Sequence, residues 1–159
     1  MTPLPPGTLP DGASRLVLTS DHQGLTALAE WLEHFADQNA LPAQARFRLD
    51  LVLTEAVTNV MDHGHLPEVK GRIELACRVQ DQLIQVEITD DGPPFDPTAR
   101  APVVLPDCLA MATPGGLGIH LIRQYTSALA YRREDACNVL RMTLPVEPTP
   151  PGHTLDQPQ

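Results

Sequence analysis

A carboxylate and an amide lie one helical turn apart in residues 53–64, at Glu55 and Asn59, and His63 follows one turn later. Side chains spaced by four residues lie on the same side of a helix. Amide and carboxylate oxygens suit a Mg²⁺ ion shared with substrate phosphates, and a nearby carboxylate can accept a proton from an attacking hydroxyl. The spacing therefore indicates phosphate chemistry, although a solvated polar helix face would show the same pattern.

Asp90 ends the apolar run 83–89, and Gly92 follows two residues later. A carboxylate at the end of a central strand can accept a hydrogen bond from an exocyclic amine such as that of adenine. A glycine beside it allows a ligand to approach the backbone closely. A plain Asp-Gly turn would show the same two residues, so this motif alone leaves both interpretations open.

A glycine-rich turn, formed by Gly115, Gly116, Leu117 and Gly118, leads directly into the apolar sequence 119–122. Such a turn directs backbone N–H groups and the positive end of a helix dipole to one point, which suits a phosphate. A hinge or a helix N-cap with surplus glycine is the alternative. The three motifs follow one another in an order that suits a pocket for a Mg²⁺-bound nucleotide, and together they are stronger evidence than any one of them.

Hydrophobic periodicity and turn residues predict the elements that must hold these motifs. In chain order we predict a strand at 14–19, a helix to about 38 with Ser20 or Asp21 as its N-cap, a helix from Pro42 to about His63, strands at about 71–79 and 83–89, a helix at about 117–125, and a hairpin of 127–133 and 138–144 around Glu134 and Asp135. Strands joined as hairpins favour an α+β fold with a mainly antiparallel sheet and the helices on one face.

One domain, residues 13–145, accounts for these elements. The flanking segments 1–12 and 146–159 are rich in proline and lack hydrophobic periodicity, so we expect disordered tails. Residues 92–115 contain six prolines and no convincing periodicity. A connection of that length in a compact domain is usually functional, and we interpret 93–115 as a lid.

The composition excludes several classes of function. A formal net charge of −9 argues against a nucleic-acid-binding protein, and no apolar run is long enough to cross a membrane. Three cysteines without a CxxC spacing favour reduced thiols over a disulfide framework or a zinc site. We therefore predict a soluble, cytoplasmic protein.

Three stretches together carry a resemblance to a known family: LTEAVTNVMDHG, VEITDDGPPFDP and GGLGIHLIRQYTSALAYRREDACNVLRMTL. They resemble the N, G1 and G2 boxes of GHKL (Bergerat-fold) ATPases, and most closely those of anti-sigma-factor serine kinases of the RsbW type. The similarity extends over about residues 14–145. It implies a two-layer α/β sandwich (histidine kinase-like ATPase fold), with ATP bound between the helices beneath a flexible lid.

The resemblance also implies roles for the motif residues. Asn59 would hold Mg²⁺, Glu55 would act as the base or orient the nucleophile, and Asp90 would recognise the adenine amine beside Gly92. The remaining nucleotide-binding candidates are His63, Gly115, Gly116, Leu117 and Gly118. Kinases of this type phosphorylate a STAS-domain antagonist (an anti-anti-sigma protein), bind a sigma factor, and are usually homodimers.

One departure from the family pattern concerns the lid. Some members carry an arginine just before the glycine turn, where this chain has Thr113 and Pro114, and Arg100 is the only basic residue in the lid. Arg123 in the following helix can be a substitute or an ordinary surface residue. Because phosphoryl transfer depends on electrostatic stabilisation, the alternative function is a non-catalytic nucleotide-binding module that regulates by protein contact alone. The catalytic domain of a histidine kinase is disfavoured because the chain has no room for the dimerising hairpin.

Overall fold

The computed structural model describes residues 9–64, 71–99 and 117–147. Within these residues the strands are β1 (Ser14–Thr19), β2 (Arg72–Gln80), β3 (Leu83–Asp90), β4 (Ala128–Glu134) and β5 (Cys137–Pro145). The helices are α1 (His22–Gln38), α2 (Ala43–Gly64) and α3 (Leu117–Tyr125), and a short 3₁₀ turn covers Pro97–Ala99. This arrangement confirms the predicted α+β class.

A five-stranded sheet in the order β1-β2-β3-β5-β4 forms one layer, and every pair of neighbouring strands is antiparallel. Hairpins join β2 to β3 and β4 to β5. Strand β5 lies between β3 and β4. The end of β3 and the start of β5 are therefore neighbours, although they are far apart in sequence. The register pairs Asp90 with Asn138.

The three helices cover one face of this sheet. Their buried residues and those of the inner sheet face form one aliphatic core, which includes Leu28, Leu32, Leu49, Val52, Leu53, Val57, Ile73, Leu75, Ile84, Val86, Ile88, Ile122, Met142 and Leu144. The apolar stripe of α2 is fully buried at Leu49, Leu53 and Val57, whereas Val60 is only partly buried. The core-facing residues of β3 and β5, such as Ile84, Val86 and Ile88, recur at every second position, as the two-residue period of a strand requires.

The ends of the elements differ slightly from the sequence predictions. Asp21 is the N-cap of α1, because its Oδ1 accepts a hydrogen bond from the Gly24 backbone N–H at 3.0 Å. Ser20 instead accepts a hydrogen bond from the Gly71 backbone N–H. The turn of the last hairpin lies at Asp135 and Ala136, one residue later than predicted, and both residues have positive φ. A two-residue turn of this kind matches the twist of the strands that it joins.

Arg48 ties α2 to the end of the sheet. Its Nη2 donates hydrogen bonds to the backbone carbonyl oxygens of Pro145 and Val146, at 3.2 and 2.8 Å. Val146 is itself buried, and its N–H donates to the Gln82 carbonyl oxygen. The packed region therefore includes Val146, one residue beyond the boundary expected from the sequence. Most of both predicted tails, and residues 100–115 of the predicted lid, lie outside the described residues.

Candidate functional site

The polar side of α2 lies against the first turn of α3. Glu55 and Asn59 are half-buried there, one turn apart. A β-carbon at Gly118 would lie 2.5 Å from Glu55 Oε2 and 3.5 Å from Asn59 Nδ2. Glycine at this position therefore allows the two polar side chains to approach the α3 backbone at the positive end of its dipole. The structure thus brings Glu55, Asn59 and Gly118 together.

Asp90 lies at the end of β3, where its side chain is buried. Its Oδ1 accepts one hydrogen bond from the Gly92 backbone N–H and another from Asn138 Nδ2, both at 2.9 Å. The Gly92 bond closes a tight local turn of the type that aspartate favours. Within the described residues no group donates a hydrogen bond to Oδ2, so one carboxylate oxygen is fixed and the other is available as an acceptor.

Asn138, the first polar residue of β5, connects Asp90 to the loop that follows β3. Its Nδ2 also donates to the Pro93 carbonyl oxygen at 2.9 Å. Its Oδ1 accepts from the Phe95 backbone N–H at 3.2 Å and from the Tyr131 hydroxyl at 2.8 Å. Four hydrogen bonds therefore join β3, β4, β5 and the start of the loop at one buried amide.

A pocket opens between α2, α3 and the sheet at this point. Its lining residues are Ala56, Asn59, Val60, Asp90, Phe95, Pro97, Ile122, Tyr131, Asn138 and Leu140. The enclosed part measures about 20 Å³, and the whole concavity with its open mouth about 390 Å³. A water molecule fits in the enclosed part, whereas a purine ring requires the walls to separate. The lining combines an apolar slot with one carboxylate and two amides, as expected for a small-molecule site.

His63 contributes to the mouth of this pocket through Phe95. The two rings are stacked, with centroids 5.0 Å apart and planes at 24°. His63 is otherwise exposed at the end of α2. The contact places His63 next to a wall of the pocket, but His63 is not among the residues that line it.

Two arginines hold the loop that follows β3. Arg123 Nη2 donates to the Thr98 carbonyl oxygen at 2.7 Å, and Arg133 Nη1 donates to the Gly92 carbonyl oxygen at the same distance. Arg123 is therefore not the ordinary surface residue that the sequence left as one interpretation. The loop is therefore anchored to β4 at Gly92 and to α3 at Thr98, within the first residues of the predicted lid. No simple sequence signal indicated these contacts.

The glycine-rich turn is described only in part. Leu117 begins α3 and Gly118 lies in its first turn, whereas Gly115 and Gly116 lie outside the described residues. Because Gly118 is buried against Glu55 and Asn59, the start of α3 faces the polar side of α2. Backbone N–H groups in the first turn of a helix have no partner within the helix and suit an anion.

Sequence reasoning missed the roles of Phe95, Tyr131 and Asn138. A signal for Asn138 exists, because it lies in phase with Leu140 and the other core-facing residues of β5. A polar residue at such a position must find hydrogen-bond partners in the interior. Its partners lie more than 40 residues away, so only the pairing of β3 with β5 identifies them.

The donor set suits a nucleotide with its Mg²⁺ ion. Neither Glu55 nor Asn59 makes a side-chain hydrogen bond within the described residues, although both are half-buried beside a helix N-terminus. In the described part of the chain, no three His, Cys, Asp or Glu side chains converge on a metal position. A Mg²⁺ held by few protein oxygens takes its other ligands from phosphates and water, so Asn59 fits this ion.

No helix among the described residues has the length and apolar composition that a bilayer span requires.

Known proteins share this sequence pattern. The model of the family "Histidine kinase-like ATPase domain" matches residues 18–144. The chain is 36% identical over 113 residues to the serine/threonine-protein kinase BtrW of Bordetella bronchiseptica, over 71% of this chain and 80% of the relative. It is 30% identical over 78 residues to the serine-protein kinase RsbW of Listeria innocua, over 46% of this chain and 50% of the relative.

Solved structures share the fold. A histidine kinase domain from a blue-light-activated histidine kinase of Erythrobacter litoralis matches 77% of this chain with a TM-score of 0.50 and 15% identity. A structure of RsbU and RsbW domains from Mycobacterium tuberculosis matches 83% of this chain with a TM-score of 0.58 and 12% identity. The chain spans 60% and 32% of the lengths of these two solved chains. Both likenesses concern the arrangement of helices and strands.

Proposed function

Since this chain belongs to the family of histidine kinase-like ATPase domains, we propose that it is an ATP-dependent serine/threonine protein kinase of the anti-sigma-factor type. Its substrate is a serine or threonine of a STAS-domain anti-anti-sigma protein. By binding a sigma factor as well, it regulates transcription through partner switching. Both curated relatives are named as serine or serine/threonine kinases, which supports this choice over other ATPases.

The observation that carries the proposal is the pairing of two acceptors at the ends of one site. Asn59 and Asp90 line the same pocket, and Glu55 lies one turn before Asn59 against Gly118. A nucleotide with its adenine at Asp90 and its phosphates at the start of α3 has one orientation in this site. The half-buried Glu55 then lies on the phosphate side, where a base is useful.

The proposed reaction is an in-line phosphoryl transfer. The partner's hydroxyl oxygen attacks the γ-phosphorus, a new O–P bond forms, and the bond from the γ-phosphorus to the β,γ-bridging oxygen breaks to release ADP. Glu55 accepts the proton of the attacking hydroxyl. Asn59 would hold Mg²⁺, whose charge would balance that of the phosphates. Asp90 and the apolar slot hold the base, and the N–H groups at the start of α3 bind phosphate oxygens.

The proposal also covers the cellular location, the oligomeric state and the cofactors of the protein. We propose a cytoplasmic protein that acts as a homodimer, binds neither nucleic acid nor membrane, and takes ATP with Mg²⁺ as its cofactors. Residues 93–115 act as the lid over the nucleotide, with Gly115, Gly116 and Leu117 at the phosphates. The net charge of −9 supports the exclusion of nucleic acid.

The deciding experiment is incubation with γ-labelled ATP, Mg²⁺ and the STAS proteins encoded near the gene. We expect label on a partner serine or threonine from the wild type. Glu55→Ala should bind ATP but lose phosphotransfer down to a small residual rate, and Asp62→Ala, which removes an exposed carboxylate from the same helix, is its matched control. Transfer by Glu55→Ala at the wild-type rate would refute its role as base.

The nucleotide pocket has its own test. Asp90→Asn should abolish ATP binding in calorimetry, because an amide in this position no longer provides a charged acceptor held by two donors. Asp91→Asn is the matched control, since the adjacent Asp91 is exposed and receives a hydrogen bond from the Arg72 N–H outside the pocket. An unchanged ATP affinity in Asp90→Asn would contradict the pocket assignment.

The alternative is a nucleotide-binding regulatory module without catalysis. It is favoured by the contact of Arg123 with the Thr98 carbonyl oxygen, which directs this guanidinium toward the loop. ATP binding without transfer of label to any STAS partner would establish this alternative.

A further inference from the structure

We propose that Asn138 is a positioning residue that holds the Asp90 carboxylate in the orientation required to recognise the 6-amino group of adenine. The inference rests on the proposed function, since it concerns the same pocket. It assigns to β5 a part in nucleotide selectivity that none of the three sequence motifs contains.

The orientation of the Asn138 amide is determined by its partners. Its Nδ2 faces two acceptors, Asp90 Oδ1 and the Pro93 carbonyl oxygen. Its Oδ1 faces two donors, the Phe95 N–H and the Tyr131 hydroxyl. A flipped amide would place its oxygen against the two acceptors and its N–H groups against the two donors. Only one orientation therefore satisfies the site.

Asn138 has no hydrogen-bonding capacity left for a ligand. An asparagine side chain has two N–H donors and two acceptor lone pairs, and all four are used within the protein. The side chain is also buried. Asn138 therefore acts on a bound base through Asp90 and not by direct contact.

Two donors fix the Asp90 carboxylate on one side. Because Gly92 N–H and Asn138 Nδ2 both bond to Oδ1, rotation of the carboxylate would break both bonds at once. Oδ2 has no donor within the described residues and is left as the acceptor for an exocyclic amine. Loss of the Asn138 amide would leave Oδ1 with one donor, and the two oxygens could exchange places.

The same amide also fixes a wall of the pocket. The Phe95 backbone N–H is bound to Asn138 Oδ1, and the Phe95 ring lines the pocket and stacks on His63. A serine or threonine at this position has one O–H donor and could not serve both Asp90 and Pro93. An aspartate would place a second carboxylate against Asp90. Asparagine alone among these residue types satisfies the four partners.

The test compares two nucleotides that differ only in the 6-amino group: ATP and purine riboside 5′-triphosphate, which has hydrogen there. Calorimetry measures both affinities for the wild type and for Asn138→Ala. We expect the variant to lose about tenfold or more in affinity for ATP, the value of one hydrogen bond to a charged group. Its affinity for the 6-deamino analogue should fall by a smaller factor, because that ligand is affected by the loosened wall at Phe95 but does not use Asp90.

Thr143→Val is the matched control on the same strand. Thr143 is buried, and its hydroxyl has no hydrogen-bond partner within the described residues, so the affinity for either nucleotide should not change. Tyr131→Phe removes a single hydrogen bond to Asn138 and keeps the ring. It should lower ATP affinity by a smaller factor, without an effect on the analogue because the Phe95 hydrogen bond to Asn138 stays in place. It also provides the comparison if Asn138→Ala does not fold.

The outcomes separate the two proposals. Wild-type protein that binds no ATP overturns the proposed function and this inference with it. Wild-type protein that binds ATP, with variants that lose affinity for both nucleotides equally, overturns the inference alone, because Asn138 would then support the fold without orienting Asp90. A loss of affinity that is larger for ATP than for the 6-deamino analogue supports it.

Discussion

Replacing Gly118 by alanine tests the contact between α3 and the Glu55 carboxylate. A β-carbon at this position would lie 2.5 Å from Glu55 Oε2. Ordinary contact begins at about 3.4 Å, so the oxygen must withdraw by about 0.9 Å. Because the obstructing atom is the end of a flexible side chain, Glu55 should move while the backbone of α3 stays in place.

The expected changes in stability and transfer rate follow from two opposing effects on the free energy of unfolding and one effect on catalysis. Alanine is favoured over glycine in a helix by up to about 1 kcal/mol, and an off-rotamer Glu55 costs roughly 0.5–1.5 kcal/mol. The free energy of unfolding should therefore change by less than about 1 kcal/mol. A catalytic group displaced by about 1 Å can lower the rate about 100-fold. We expect Gly118→Ala to be a stable protein with strongly reduced phosphotransfer.

The assay combines single-turnover transfer from labelled ATP with urea denaturation. In the Glu55→Ala background, adding Gly118→Ala should have no further effect on the transfer rate, because the group that it displaces is already gone. Gly24→Ala provides the contrast. A β-carbon there would collide with the backbone carbonyl oxygen of Thr19, so that variant should lose stability.

Three results would contradict this prediction. A transfer rate equal to that of the wild type would show that Glu55 does not act from its present position. A loss of several kcal/mol in the free energy of unfolding would show that Gly118 packs against something less mobile than a carboxylate. Additive effects of Gly118→Ala and Glu55→Ala on the transfer rate would also show that Gly118→Ala does not act through Glu55.

Three further predictions concern stability. Burial raises the pKa of the Cys77 thiol, so the buried neutral thiol contributes fully to the stability of the fold below the unfolded pKa of about 8.5, and this contribution falls at higher pH. When the free energy of unfolding is measured in urea from pH 7 to 10, Cys77→Val should therefore lose less stability than the wild type. Parallel pH profiles of the two proteins would contradict this. Arg141→Met should cost roughly 3–5 kcal/mol because it strands the buried Glu87 carboxylate, whose Oε2 lies 2.6 Å from Arg141 Nε; adding Glu87→Leu should restore most of the loss. Ala136→Gly should raise the free energy of unfolding by roughly 1 kcal/mol, since Ala136 has φ of 62°; unchanged stability would exclude strain at this turn.

Local patterns in the sequence were sufficient for most of the fold. The family is confirmed by a match over residues 18–144, and the predicted strands and helices occur within a residue or two of their expected ends. Alternation and helical periodicity are local properties, and the caps at Asp21 and Pro42 are local as well. The mainly antiparallel sheet followed from hairpins whose turns are short.

The inner details of the site depend on pairing across the sheet, and local patterns do not contain them. Asp90 and Gly92 were expected beside a ligand, but Asn138 is joined to Asp90 only because β5 inserts between β3 and β4. The loop contacts of Arg123 and Arg133 similarly need the positions of α3 and β4. The chemical roles of Glu55, Asn59 and His63 stay predictions until the variants are measured.

The hairpin turn between β4 and β5 has a consequence for evolution of this chain. Tyr131 and Asn138 lie on the same face only because the turn at Asp135 and Ala136 has two residues. An insertion that slides β4 by one residue would turn every side chain of that strand to the opposite face. Ala130 or Arg132 would then take the position of the phenol. Surface turns usually tolerate changes in length, but the length of this turn is constrained by the proposed base-recognition site several residues away.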